Sequence, residues 1–200
     1  MSKGGRWYGG MFEQKLAFGK LGESQIAIWL RSRGNYVLPV YERTDDEKIG
    51  PRIFGPAGTF IAPDLFVWGS GGTMWIEAKH KSVFSWHRRT SRWTTGIDKH
   101  HYDEYLKLAE DWTPWPIWLL FLHEQSVPDE RDRQYAPLVC PTGLFGGDIL
   151  ALSKRINHTH DNWGRSGMVY WARENLTSLA SLTEVETARL GAGEVGRAGP

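Results

Sequence analysis

The stretch that most constrains this chain is a pair of β-forming runs, Thr59 to Trp68 and Thr73 to His80, split by Gly69-Ser70-Gly71-Gly72. Both runs are rich in β-branched and aromatic residues, and a glycine-rich break between two such runs is hairpin punctuation. If the turn is centred between Ser70 and Gly71, Trp68 faces Thr73, Phe66 faces Trp75 and Asp64 faces Glu77. Directly opposed residues project to one side of the sheet with Cβ atoms ~5 Å apart. Lys79, two residues past Glu77, points to that side as well. Leu65, Val67, Met74 and Ile76 fill the other side, so the hairpin is expected to be covered on both faces.

Two like charges directly opposed are destabilising, and these two interrupt largely apolar strands. The pair needs a counter-charge. A divalent cation bridging both carboxylates supplies one, and hard cations such as magnesium favour such oxygen ligands. Lys79 adds a positive charge suited to a bound phosphate. The plainer alternative is a solvated strand end with Lys79 as a salt-bridge partner. The apolar strand context and the basic segment that follows weigh against it.

Around the hairpin, Phe12 to Arg33 contains no proline. Apolar residues recur at Phe12, Leu16, Ile26, Ala27 and Leu30, which predicts a long helix ending at Gly34. Leu21, Ile28 and Trp29 lie off that stripe, so burial on more than one side is expected. Tyr36 to Tyr41 reads as a short strand that breaks into a polar loop, Glu42 to Gly58, with Asp45 and Asp46 an acidic turn. A basic loop follows the hairpin from Lys81 to Thr95. A helix is then expected from about Ile97 to Asp111, ended by Pro114 and Pro116, and a buried strand from Ile117 to His123. Helix, strand, hairpin, helix, strand is an α/β order around a mixed central sheet flanked by helices. Later signals are weaker: strands at Tyr135 to Cys140 and Met168 to Ala172, and a helix from Leu179 to Leu190. The organisation expected is a flexible arm (1–11), a core (12–123), an extension packed on it (124–190) and a disordered tail (191–200).

With 200 residues, 40% of them apolar, one substantial core is expected rather than two. No apolar run is long enough to span a bilayer, and no apolar region backs the charges of the N-terminus, so a cytoplasmic protein is expected. The single cysteine, Cys140, leaves no intrachain disulfide and no cysteine-based zinc site. A net charge of +1 argues against a uniformly basic surface. However, Lys79, Lys81, Arg88, Arg89 and Arg92 follow one another without an intervening carboxylate, as suits contact with a polyanion at one place. The eleven tryptophans are unusually many and have no single account in the sequence.

Pro63-Asp64 followed by Glu77-Ala78-Lys79 resembles the signature of the PD-(D/E)XK, or restriction-endonuclease-like, superfamily. That family's core is a helix, three strands, a helix and a strand, matching the order read from Phe12 to His123, a little over half the chain. The resemblance implies Asp64 and Glu77 as metal ligands, with the Ala78 carbonyl a third. Lys79 would orient the attacking water or stabilise charge on the phosphate. The implied cofactor is Mg2+, with Mn2+ able to substitute, and the reaction is in-line attack of a metal-activated water on a phosphodiester. Glu23 falls on the apolar stripe of the first helix, beside Gly22, which allows close backbone approach. Relatives carry a glutamate on this helix that completes the metal site, directly or through water. A surface glutamate is the alternative.

Lys81, Arg88, Arg89 and Arg92 are expected to bind phosphates, the alternative being a solvated basic loop. On the second helix Lys99, His101 and Tyr105 are candidates near the scissile phosphate, against core packing of His101 and Tyr105. His158, His160 and Asp161 have the spacing of a weak metal site but read better as a loop. The expected activity is a magnesium-dependent deoxyribonuclease, an endonuclease in recombination, repair or phage DNA metabolism, with DNA as partner and no membrane. The alternatives are a resolvase of branched DNA, which would be a homodimer, and a catalytically silent relative that binds DNA or a protein.

Overall fold

A computed structural model describes residues 6–40, 51–56, 58–111, 115–163 and 166–195. In chain order, helix α1 (Arg6–Ser32) is followed by strands β1 (Tyr36–Pro39), β2 (Arg52–Gly55), β3 (Gly58–Ile61), β4 (Leu65–Gly69), β5 (Gly72–Lys81), β6 (Ser85–His87) and β7 (Arg92–Asp98). Helix α2 (Lys99–Asp111), β8 (Ile117–His123), β9 (Gly143–Asp148), the short helix α3 (Ile149–Ser153), β10 (Ile156–His160), β11 (Met168–Ala172), β12 (Thr177–Ala180) and α4 (Leu182–Val195) complete the order. The side chains of Phe12 and Leu16, the acidic turn at Asp45 and Asp46, and Pro114 lie outside what is described, as do the first five and last five residues.

A six-stranded sheet, ordered β1-β4-β5-β8-β9-β12, forms the centre. It is mixed: β5 and β8 run parallel, and the other neighbours are antiparallel. Alternation along β8 divides the core in two. Leu120 and Leu122 face one layer with Ile26, Trp29 and Leu30 of α1, Val185 of α4, and Leu65, Val67 and Ile76 of the hairpin. Ile117, Leu119 and Phe121 face the other layer with Tyr105 and Leu108 of α2, Ile149 and Leu152 of α3, and Trp93, Ile97, Val169 and Trp171. Each such large side chain, fully buried, contributes about 1.5–3 kcal/mol over its exposed state. The last four of those residues belong to a second, antiparallel sheet ordered β10-β11-β7-β6, while β2 and β3 pair by themselves.

The hairpin register is the one expected as far as it runs: Trp68 pairs with Thr73, Phe66 with Trp75 and Leu65 with Ile76, around a two-residue turn at Ser70-Gly71, but the expected Asp64–Glu77 pair lies beyond its last rung. The helix end also agrees. Gly34 takes a left-handed φ of 82°, and the Asn35 amide donates back to the Leu30 carbonyl, closing the last turn of α1.

Several expectations are corrected. The run from Thr59 to Trp68 is two strands, because Ala62-Pro63-Asp64 breaks it and proline cannot donate to a ladder. The basic segment is the β6–β7 hairpin rather than a loop, with Ile97 in β7, so α2 starts at Lys99. Tyr135 to Cys140 is not a strand; the strand in this region is β9. His158 and His160 lie in β10, not in a loop. Residues 124–190 do not merely pack on the core: they supply β9 and β12 to the central sheet and two of four strands to the second. α1 reaches back to Arg6, into the expected arm, and α4 runs to Val195, into the expected tail.

Candidate active site

β5 outruns β4. Pairing between them ends at Leu65 with Ile76, while β5 continues to Lys81 against β8. A notch therefore opens beside Ala78, whose amide has lost its ladder partner. The amide of Trp75 donates toward β8, to Pro116, so amides and carbonyls at even positions, Ala78 included, point to the β4 side. The Asp64 carboxylate fills the gap: its Oδ2 accepts the Ala78 amide at 2.8 Å. The Ala78 carbonyl opens onto the same notch. The Asp64 backbone is pinned in turn, its carbonyl accepting the Val40 amide at 2.8 Å.

Glu77 and Lys79 project to the α2 side of β5, as the alternation requires. Glu77 is 1% exposed and its two oxygens have different partners. Oε1 contacts the Lys79 ammonium, and Oε2 accepts the hydroxyl of Tyr105 at 2.6 Å. The same ammonium stands 3.8 Å from Asp64 Oδ2. Burial, then the adjacent Glu77 charge, raises the Asp64 carboxyl from 3.8 to about 7. Burial alone would lower Lys79, but Glu77 and Asp64 outweigh it and hold the ammonium charged well above its ordinary range. One cation thus faces two carboxylates, and it does not offset the burial and the Glu77 charge that raise Asp64.

Glu23, half-buried on α1, has the smallest of the three carboxylate effects on Lys79. It acts electrostatically on Lys79, with the same sign as Glu77 and Asp64. Gly22 brings α1 in: a Cβ there would collide with the His80 side chain, so only glycine permits this approach. His80 locks the contact, stacked on Phe18 at 3.7 Å, bonded to the Phe18 carbonyl at 2.7 Å and facing Glu124 Oε2 at 3.0 Å.

His101, one turn before Tyr105 on α2, lies at the rim, with Nδ1 3.9 Å from Glu77 Oε1 and no hydrogen bond to that nitrogen among the described residues. Burial and the Lys79 charge lower its pKa. Lys81 continues the same face, and burial, then Lys79, lowers its pKa too. The remaining candidates are not brought into this cluster. Lys99 pairs with Asp103 at 2.6 Å. Arg92 pairs with Glu174 at 3.2 Å, the Arg88 guanidinium lies over the Tyr135 ring at 3.4 Å, and Arg89 is exposed in the β6–β7 turn. His158 is stacked on His87 and on Tyr170, with ring centroids 3.8 and 4.5 Å apart. The partnership of Tyr105 with Glu77 was not readable as such; its signal was the four-residue spacing from His101 on one helical face.

The donor set fits a hard divalent cation. Two carboxylates and a backbone carbonyl converge on one notch, and their charge is under-compensated. The described His, Cys, Asp and Glu side chains form no cluster of three or more able to hold a metal; an ion bound here would have only the two carboxylates and the Ala78 carbonyl from the protein, with water for the rest of its shell. Among the described residues no helix is long and apolar enough to cross a membrane. No family model and no curated protein matches the chain. Among solved structures it is similar to a nuclease from a fusselovirus, at 14% identity and a TM-score of 0.35, over 93% of this chain and 95% of that one. That likeness is too distant to carry function.

Proposed function

We propose that this chain is a magnesium-dependent nuclease that hydrolyses phosphodiester bonds of DNA, acting as an endonuclease in recombination, repair or phage DNA metabolism. The observation that carries this reading is the convergence of Asp64, Glu77 and Lys79 at the notch where β5 outruns β4. Asp64, Glu77 and the Ala78 carbonyl would hold the ion, and the chemistry an ion supplies there is activation of water and neutralisation of phosphate charge.

The protein's own groups divide the remaining work. Lys79, kept charged by its carboxylate neighbours, donates to the attacking water or to a non-bridging phosphate oxygen. That placement stabilises charge where it develops. Glu23 approaches from α1 and holds water on the side of Lys79. His101 and Lys81 flank the notch and meet the nucleic-acid backbone.

Asp64→Ala or Glu77→Ala is expected to reduce cleavage of a DNA panel (linear, nicked, branched, single-stranded) by about a thousandfold or more. Asp64→Ala should stay folded, because it relieves like-charge repulsion, whereas Glu77→Ala also takes a partner from Tyr105 and Lys79, so thermal melts accompany both variants. Wild-type cleavage in EDTA, or full activity in both variants, overturns the metal mechanism. DNA affinity without cleavage under magnesium or manganese would identify a binding protein instead.

A further inference from the structure

We propose that Tyr105 sets which divalent cation the site accepts, by engaging one oxygen of Glu77 and leaving the other as a single-point ligand. This rests on the metal-dependent reading above and extends it to a residue outside the Asp64, Glu77 and Lys79 set.

Tyr105 is 1% exposed and lies in the core layer beneath α2. Its hydroxyl donates to Glu77 Oε2 at 2.6 Å, the length of a charge-assisted O–H···O bond. A phenol is an O–H donor at neutral pH, so the bond is available across the working range. The other groups of the site approach the opposite oxygen: the Lys79 ammonium contacts Oε1, and His101 Nδ1 stands 3.9 Å from it. The carboxylate is therefore held with Oε2 turned into the core and Oε1 turned toward the notch. Where burial shuts out water, nothing else replaces the phenol.

Cations differ in what they ask of such a carboxylate. Calcium takes a large, flexible oxygen shell and is often bound by both oxygens of one carboxylate. Magnesium demands near-octahedral geometry, keeps several waters and is held through one or two carboxylates. A glutamate that offers only Oε1 suits magnesium and manganese and disfavours calcium. Freeing Oε2 restores the two-oxygen mode.

The test is calorimetric titration of the full chain, without DNA, with Mg2+, Mn2+ and Ca2+ separately, on wild type and Tyr105→Phe, with thermal melts to establish folding. Wild type should prefer Mg2+ and Mn2+ to Ca2+. Tyr105→Phe should move the ratio of Ca2+ to Mg2+ affinity about tenfold toward Ca2+, the scale of one hydrogen bond to a charged group. An unchanged ratio in a folded variant overturns the inference and leaves the metal reading standing. So does a wild type that binds Ca2+ as tightly as Mg2+, a result that needs no variant. Failure of wild type to bind any of the three ions overturns both.

Discussion

The β4–β5 and β6–β7 hairpins are both tight two-stranded units, and both place charged residues in β-forming sequence, yet those charges have opposite fates. At β4–β5 the carboxylates are turned inward, so Glu77 is almost fully buried and Asp64 is driven up to about 7. At β6–β7 the arginines turn outward: Arg92 finds Glu174, Arg88 lies over Tyr135, and Arg89 meets solvent. The difference is access to water. An exposed charge is compensated by whatever is near, at a median worth of about 0–1 kcal/mol for an ion pair. A buried pair of like charges is compensated only by what the fold supplies, so its surplus persists.

If burial is what separates the two hairpins, the largest effect should be in the pH dependence of stability without metal. An acid whose folded-state pKa is raised holds its proton more tightly when folded, so stability falls as pH rises through the window between the two pKa values. For Asp64 that window runs from about 4 to about 7, with a loss of about 2–4 kcal/mol expected across it. Melts in EDTA should show this decline, magnesium should oppose it at neutral pH, and Asp64→Asn should flatten it. A flat wild-type profile would place Asp64 in water.

A smaller effect is expected at Glu23, which reaches the site from another element. Glu23→Gln keeps shape and hydrogen bonding but removes charge. We expect turnover to fall about 10–100-fold, the range of groups that support a metal site, with the melting temperature and DNA affinity little changed. Wild-type turnover across a magnesium titration would return Glu23 to the helix surface.

The smallest effect belongs to the outward hairpin. Joint replacement of Arg88, Arg89 and Arg92 by Ala would flatten the log–log salt slope of duplex binding by almost three units if each arginine met a phosphate, at about 0.9 per contact. Because Arg92 and Arg88 have partners within the chain, a change of roughly one unit is expected. A full three-contact change would show that those partners are given up to DNA, and the contrast between the hairpins would weaken.

What the sequence made legible was local and periodic. The hairpin register follows from one glycine-rich turn, and strands β8 and β11 have the bounds that their apolar runs imply. The close approach of α1 was readable from Gly22. What stayed hidden depended on distant partners. No element was expected at β9, half of which is glycine, but Gly146 and Gly147 lie where a Cβ would press on Leu119 and Leu120, or on Leu152. The β6–β7 hairpin was obscured by its arginine-rich turn, where Ser91 takes a left-handed φ of 51° without a glycine to announce it. The bond from Tyr105 to Glu77 joins residues 28 apart in sequence, and no periodicity reports such a pair.

The unequal lengths of β4 and β5 give the site an unusual point of vulnerability. Had the chain continued as strand through Ala62 and Pro63, a backbone carbonyl rather than Asp64 would meet the Ala78 amide. The notch would then be zipped shut with every acidic and basic side chain intact. Pro63, which has no amide to offer a ladder, therefore acts as a stop in the weave, and the opening beside Ala78 is a matter of where one strand is told to end.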